Sequence, residues 1–120
     1  MNLFQLGDFT LTSEKKSKYK IECDALTDMD WETIAYLLSL RLPPFGRVEG
    51  VPRGGLKLAQ ELCFYISGGS SDLLIADDIY TTGGSMNRQR AGRDAIGAIF
   101  IARGPVAGWV IPLLVMTPEV

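Results

Sequence analysis

The chain of 120 residues is 47% hydrophobic and 22% charged, the proportions of one globular domain rather than of a disordered or fibrous segment. Its formal charge of -2 lacks the basic excess with which nucleic-acid and anionic-membrane binders displace counterions, so the expected partner is small or proteinaceous. With two cysteines, Cys23 and Cys63, and no histidine, neither a disulfide framework nor a zinc site is expected.

Cys63 stands among Leu62, Phe64 and Tyr65 and reads as a small core hydrophobe rather than a nucleophile. Met1 to Asp8 carries no basic region followed by an apolar run, and no stretch reaches the ~18 apolar residues of a membrane span, so a cytoplasmic protein without a membrane or nucleic-acid partner is expected. A chain of this size hides somewhat under ~70% of its unfolded surface, a modest core that pairing into a homodimer would extend.

Phe9 to Leu11 and Tyr19 to Glu22 alternate apolar and polar residues around the polar stretch Ser13 to Ser17, the pattern of a small hairpin flap. Asp28 to Leu40 carries Trp31, Ile34, Ala35, Leu37 and Leu38 at helical spacing, with Asp28, Asp30 and Glu32 where the helix dipole favours them, until Pro43 and Pro44. Arg47 to Val51 then reads as a strand, followed by a Gly-rich turn and a helix over Leu56 to Phe64. A second such unit has a strand from Asp72 to Ala76, a polar turn from Asp77 to Gly84 and a helix from Ser85 to about Arg93. Ala95 to Ala102 and Trp109 to Met116 supply further strands. Continuous apolar strands interleaved with helices predict an α/β fold, a single domain over 1–120 with a parallel sheet flanked by helices and a small N-terminal β flap. There is no repeat, linker or low-complexity segment.

The segment Leu73-Leu74-Ile75-Ala76-Asp77-Asp78-Ile79-Tyr80-Thr81-Thr82-Gly83-Gly84-Ser85 carries the strongest chemical signal. Two adjacent carboxylates at a strand's C-terminal edge can accept hydrogen bonds from the neighbouring hydroxyls of a ribose, or hold a hydrated divalent cation bound also to phosphate. Gly83 and Gly84 let the backbone approach an anion closely, and Thr81, Thr82 and Ser85 add hydroxyl donors, which together make a cradle for a monophosphate. The blander alternative is a capped turn, since these residue types are common between a strand and a helix. A second segment, Glu49-Gly50-Val51-Pro52-Arg53-Gly54-Gly55, also follows a strand and opens a helix, where its amides could receive another anion and Arg53 supply charge.

The first segment resembles the motif with which type I phosphoribosyltransferases bind 5-phosphoribosyl-1-pyrophosphate (PRPP), with apolar run, acidic pair and Thr-Thr-Gly-Gly-Ser loop all present. The resemblance implies that Asp77 and Asp78 bind the ribose and are the catalytic residues, while Tyr80, Thr81, Thr82, Gly83, Gly84 and Ser85 wrap the 5-phosphate. It implies in turn that Val51, Pro52, Arg53 and Gly54 take the pyrophosphate, and that Mg2+ enters mainly bound to PRPP. Phe9 to Tyr19 is similar to the opening of the orotate phosphoribosyltransferases, whose flap covers the base, although Glu14 stands where that subfamily often has glycine and Thr12 where it has lysine. Lys20 and Arg103 are the base-binding candidates that follow, with Ala102 in place of the subfamily's aspartate. A solvated basic edge is the competing reading of Lys15, Lys16, Lys18 and Lys20, and a solvated strand end that of Arg103.

The orotate enzymes place a further strand, a long mobile loop rich in Lys, Arg and His, and another strand before the PRPP motif, where this chain has only Ile66 to Ser71. That loop acts as a lid over the leaving pyrophosphate. Three readings therefore stand: a transferase acting on PRPP and a small base, orotate-like by the flap; a weak or inactive PRPP or nucleotide sensor; and a dormant fold used for assembly.

Overall fold

The computed structural model describes residues 2–11 and 16–116. Thr12, Ser13, Glu14 and Lys15, where the flap's turn is expected, lie outside them. Two antiparallel strands, β1 (Phe4–Thr10) and β2 (Lys16–Ile21), form the flap, with Phe4 opposite Ile21 and Thr10 opposite Lys16. The first strand begins five residues earlier than its alternating pattern indicates, and its pairing is irregular between Leu6 and Phe9, around Gly7. A bulged register of this kind is why strict alternation is not visible in the sequence.

Helix α1 (Asp28–Ser39) starts where the chain supplies its own cap. Thr27 Oγ1 accepts from the Asp30 amide at 3.1 Å and Asp30 Oδ2 accepts from the Thr27 amide at 2.8 Å, a reciprocal capping box. Trp31, Ile34, Ala35 and Leu38 are buried, and Leu37 turns outward. Trp31 packs edge-on against Phe100 with ring centroids 5.7 Å apart, the geometry favoured by aromatic quadrupoles.

The remaining strands, β3 (Arg47–Gly50), β4 (Leu73–Tyr80), β5 (Ile96–Ala102) and β6 (Val110–Val115), make one parallel sheet in that order, as the continuous apolar runs predict. Along β4, Leu74 and Ala76 join a core with α1 and with Leu58, Ala59 and Leu62 of α2 (Leu56–Leu62). Leu73 and Ile75 join the opposite core with Met86 of α3 (Gly84–Arg90). Neighbouring side chains of a strand point to opposite faces, so α1 and α2 cover one face and α3 the other. Both connections step one strand the same way, from β3 to β4 and from β4 to β5, yet their helices lie on opposite faces. The two crossovers therefore have opposite hands, a departure from the nearly universal right-handed rule.

Besides β1, and α3, which ends at Arg90 rather than near Arg93, two further boundaries differ from expectation. The turn expected at Asp77 begins only at Thr81, because β5 continues to pair alongside, with Asp77 opposite Ile99 and Tyr80 opposite Ala102. The helix expected through Phe64 ends at Leu62 and tightens into a 3₁₀ turn over Cys63–Tyr65. That turn rotates Cys63 and Phe64 outward, so Cys63 is exposed rather than a core residue. From there residues 66–72 return to the sheet as a compact turn, tied by Ser67 N to Phe45 O at 2.8 Å and Gly46 N to Asp72 O at 2.9 Å.

Glu49 of β3 fastens the segment after α3 to the sheet. Arg93 Nη1 and Nη2 each donate to its carboxylate at 2.8 Å, and Gln89 Nε2 adds a third bond at 2.8 Å. The Arg93 hydrogen bond, then that of Gln89, holds the Glu49 carboxyl at about 2, below the ordinary carboxylate range. A depressed acid stabilises the fold fully above its unfolded value of about 4.3 and loses that contribution as pH falls towards 2. Because the pair is partly solvated, Glu49→Gln is expected to cost about 1 kcal/mol at pH 7, a few degrees of melting temperature. The gap to the wild type is expected to close in thermal melts as pH is lowered from 5 to about 2.

Candidate functional site

The carboxyl ends of β3, β4 and β5, together with the flap, enclose one cleft of about 550 Å³, within the usual range for small-molecule sites. Its floor is the end of β4. Asp77 is buried, with 6% of its surface exposed, and Asp78 beside it is half-buried. Each carboxylate accepts the next amide of its own chain at 2.8 Å, Asp77 Oδ1 from Asp78 N and Asp78 Oδ1 from Ile79 N, which fixes both side chains. Burial, and then the neighbouring Asp78 carboxylate, pushes the Asp77 carboxyl above the ordinary range. Cys23 lies close to this pair, and its thiol is pushed up by burial and next by the charge of Asp78, which leaves it protonated and unreactive.

Beyond the carboxylates the chain runs through Thr81 and Thr82 to Gly83, which has φ +85°, and so enters α3. That conformation is open to glycine, and a Cβ there would also overlap the Tyr80 hydroxyl. Tyr80 is buried, and its hydroxyl accepts from the Ala107 amide at 3.2 Å, so it props the loop from beneath. Thr81, Thr82, Gly84 and Ser85 complete the rim.

The second loop lies against the first. Val51 N donates to Ala76 O at 2.9 Å, and a Cβ on Gly55 would strike that same carbonyl. Gly54 sits so close to Asp78 that a Cβ would overlap its carboxylate, so both loops meet at the acidic pair only because these positions lack side chains. Val51, Pro52 and Gly54 line the cleft, whereas Arg53, exposed on the far side of a cis Pro52–Arg53 peptide, is not among its lining residues.

The opposite wall comes from the flap, with Phe9, Thr10 and Leu11 of the first arm and Lys20 and Ile21 of the second. Lys20 pairs with Glu22 at 3.0 Å. Arg103, immediately after β5, lies over the Tyr19 ring at 3.8 Å and donates to Ser17 Oγ and to Tyr19 O, so its guanidinium bridges the flap to the sheet.

Among solved structures, orotate phosphoribosyltransferase from Aeropyrum pernix superimposes with a TM-score of 0.71 at 20% identity, over 94% of this chain and 88% of that one. The Mycobacterium tuberculosis H37Rv enzyme in complex with inorganic phosphate gives 0.62 at 18% identity over 92% and 87%. UMP synthase of Leishmania donovani gives 0.69 at 18% over 94% of this chain and 33% of that longer one. The fold is that of a type I phosphoribosyltransferase. No family model and no curated protein matches the chain by sequence.

Within this phosphoribosyltransferase fold the acidic pair, the Tyr80 to Ser85 loop, Val51, Pro52, Gly54, Lys20 and Arg103 share one cleft, and Arg53 stands apart. Sequence reasoning overlooked Arg88, which lines the same cleft one helical turn beyond Ser85. The i, i+3 spacing from the loop serine was its only signal. Among the described residues no group of three or more acidic or Cys side chains is placed to hold a metal, and no helix is long and apolar enough to cross a membrane. Asp77 and Asp78 each bond one oxygen to the backbone, and their side chains also hydrogen-bond each other while the Cys23 thiol bonds Asp78, so a cation that arrives with its own phosphate ligands would replace these contacts.

An acid whose folded value is raised contributes its full stability below the unfolded value, about 3.9, and loses it as pH rises. Asp77→Asn, which cannot ionise, is therefore expected to melt with the wild type at pH 4. By pH 7 it is expected to be more stable by at least about 1 kcal/mol, a gain of a few degrees in thermal scans across that range.

Proposed function

We propose that the protein transfers the phosphoribosyl group of PRPP to a nitrogen of a small base, an orotate-like pyrimidine by the flap, and releases pyrophosphate. The observation that carries this reading is the convergence of the acidic pair and both glycine loops on one cleft. In the reaction the bond from the ribose C1 to the pyrophosphate oxygen breaks, a bond from C1 to the base nitrogen forms, and the proton on that nitrogen leaves to water. Positive charge develops on the ribose in between. Asp77 and Asp78 accept hydrogen bonds from the ribose hydroxyls, hold the ring in line and lie near the developing charge, which favours ionised over neutral carboxyls once the ligand is seated. Thr81, Thr82 and Ser85 hydroxyls and the loop amides hold the 5-phosphate, and the Val51 to Gly54 segment receives the pyrophosphate, with Arg53 swinging in from the rim. Lys20 and Arg103 meet the base from the flap side. Mg2+ bound to the pyrophosphate would neutralise its charge, and Asp77 and Asp78 are the residues that would hold it. A homodimer would shield this small domain further.

The compact return over residues 66–72 favours a second reading, a catalytically weak module that binds PRPP or a nucleotide and reports it. With no lid between α2 and β4 to exclude water or bring cations to the leaving group, rate suffers before affinity does.

Calorimetric titration with PRPP and Mg2+ is expected to show binding that weakens more than about a hundredfold in the double variant Asp77→Asn, Asp78→Asn, since two charged acceptors are lost. A pyrophosphate-release assay with a panel of bases including orotate then separates the readings. Release with one base means a transferase, binding without release means the regulatory module, and absence of PRPP binding by the wild type contradicts both.

A further inference from the structure

We infer that Arg88 is the phosphate-recognition residue of the cleft, the side chain that commits the loop end of the site to a dianionic phosphomonoester. The inference rests on the phosphoribosyl reading of the cleft and assigns within it a role to a side chain outside the motif. The floor presents two carboxylates, Asp77 and Asp78, and the loop beyond them offers only neutral donors, the hydroxyls of Thr81, Thr82 and Ser85 and backbone amides. A doubly charged anion placed there meets an acidic floor and no opposite charge unless a cation faces it.

Three cations line the cleft, and two are engaged elsewhere. Lys20 is paired with Glu22, and Arg103 is stacked on Tyr19 and hydrogen-bonded to the flap. Arg88 alone lies at the loop end. Its Nη2 donates to Ser85 Oγ at 3.3 Å and its Nη1 lies 3.3 Å from where a Cβ on Gly84 would be, so the guanidinium is folded back over the two residues that form the rim. Among the described residues Arg88 forms no ion pair. A guanidinium has five donors and a planar fork that matches two phosphate oxygens, and one long bond to a hydroxyl leaves that fork open to the cleft. Gly84 has no side chain between the fork and the loop, and Ser85 serves as the hinge from which Arg88 passes to the ligand.

The test is calorimetry on the full chain with ribose 5-phosphate, and separately with PRPP and Mg2+, comparing the wild type with Arg88→Ala, Arg88→Lys and the double variant Asp77→Asn, Asp78→Asn. Arg88→Ala is expected to weaken ribose 5-phosphate by about tenfold to a hundredfold, the effect of one charge-assisted pair, and Arg88→Lys to recover only part of the loss, since it restores the charge without the fork. Melting temperature is expected to be unchanged in both. Wild-type affinity in Arg88→Ala beside lost affinity in the aspartate variant would leave the phosphoribosyl reading standing and overturn the role of Arg88. Equal weakening by Ala and Lys together with a lowered melting temperature would make Arg88 structural and overturn it as well. A wild type that binds neither compound overturns the reading of the cleft, and the role of Arg88 with it.

Discussion

Two carboxylates that follow directly on a fully buried apolar run set the terms for everything around them. Leu73 to Ala76 have almost no exposed surface, and the chain then passes without interruption into Asp77 and Asp78. Desolvating charge is costly, and each additional buried carboxylate makes its neighbour harder to ionise. The fold meets this by bonding one oxygen of each carboxylate to the following amide, by hydrogen bonds between the two side chains and from the Cys23 thiol to Asp78, and by placing the pair at a cleft. It also meets it with empty space. Gly54 and Gly55 sit against Asp78 and Ala76 where any side chain would collide, so a second backbone loop reaches the acidic pair. Burial thus raises the cost of an unoccupied site, and a hydroxyl-bearing or cationic ligand relieves it. Stability at neutral pH is traded for a poised pair of acceptors.

The connection between α2 and β4 is the second constraint. In the orotate enzymes, by the resemblance drawn above, this stretch carries an edge strand and a lid. In this chain residues 66–72 lead from the 3₁₀ turn straight into β4, and the connection is stapled to Phe45 and Gly46. The opposite hands of the two crossovers are the topological trace of so short a path. A chain that visits an outer strand before returning can keep α2 on its face with right-handed turns, and a chain that omits the visit steps directly to the neighbouring strand. What is gained is a small, tightly bonded domain; what is absent from this position is any side chain that could close over a leaving group.

Parts of this were legible in the sequence because they depend on local patterns. The apolar run of β4, the acidic pair and the glycine loop are contiguous, so their chemistry could be read without knowing the fold. The helical spacing of Trp31, Ile34, Ala35, Leu37 and Leu38 gave α1 its buried face except at Leu37, which turns outward. Features that depend on neighbours were not legible. The length of β4 is set by its pairing with β5, and the exposure of Cys63 and Phe64 by where α2 tightens. Arg103 was read as a base contact or a solvated end, yet its guanidinium also clamps the flap through Ser17 and Tyr19, residues more than eighty positions away. Arg53 belongs to the motif but is not among the residues lining the cleft, and Arg88, outside the motif, is.

The central claim is that the two loops and the acidic pair form one site for one ligand. Amide NMR spectra of the isotopically labelled chain, recorded during titration with PRPP and Mg2+, test it most directly, because backbone amides report both loops at once. The account predicts that signals of Gly54, Gly55, Asp78 and Thr81 to Ser85 shift together along a single saturation curve, while those of the exposed turn at Cys63 to Ile66 stay still. Shifts confined to one loop, or spread over the surface without saturation, would contradict it.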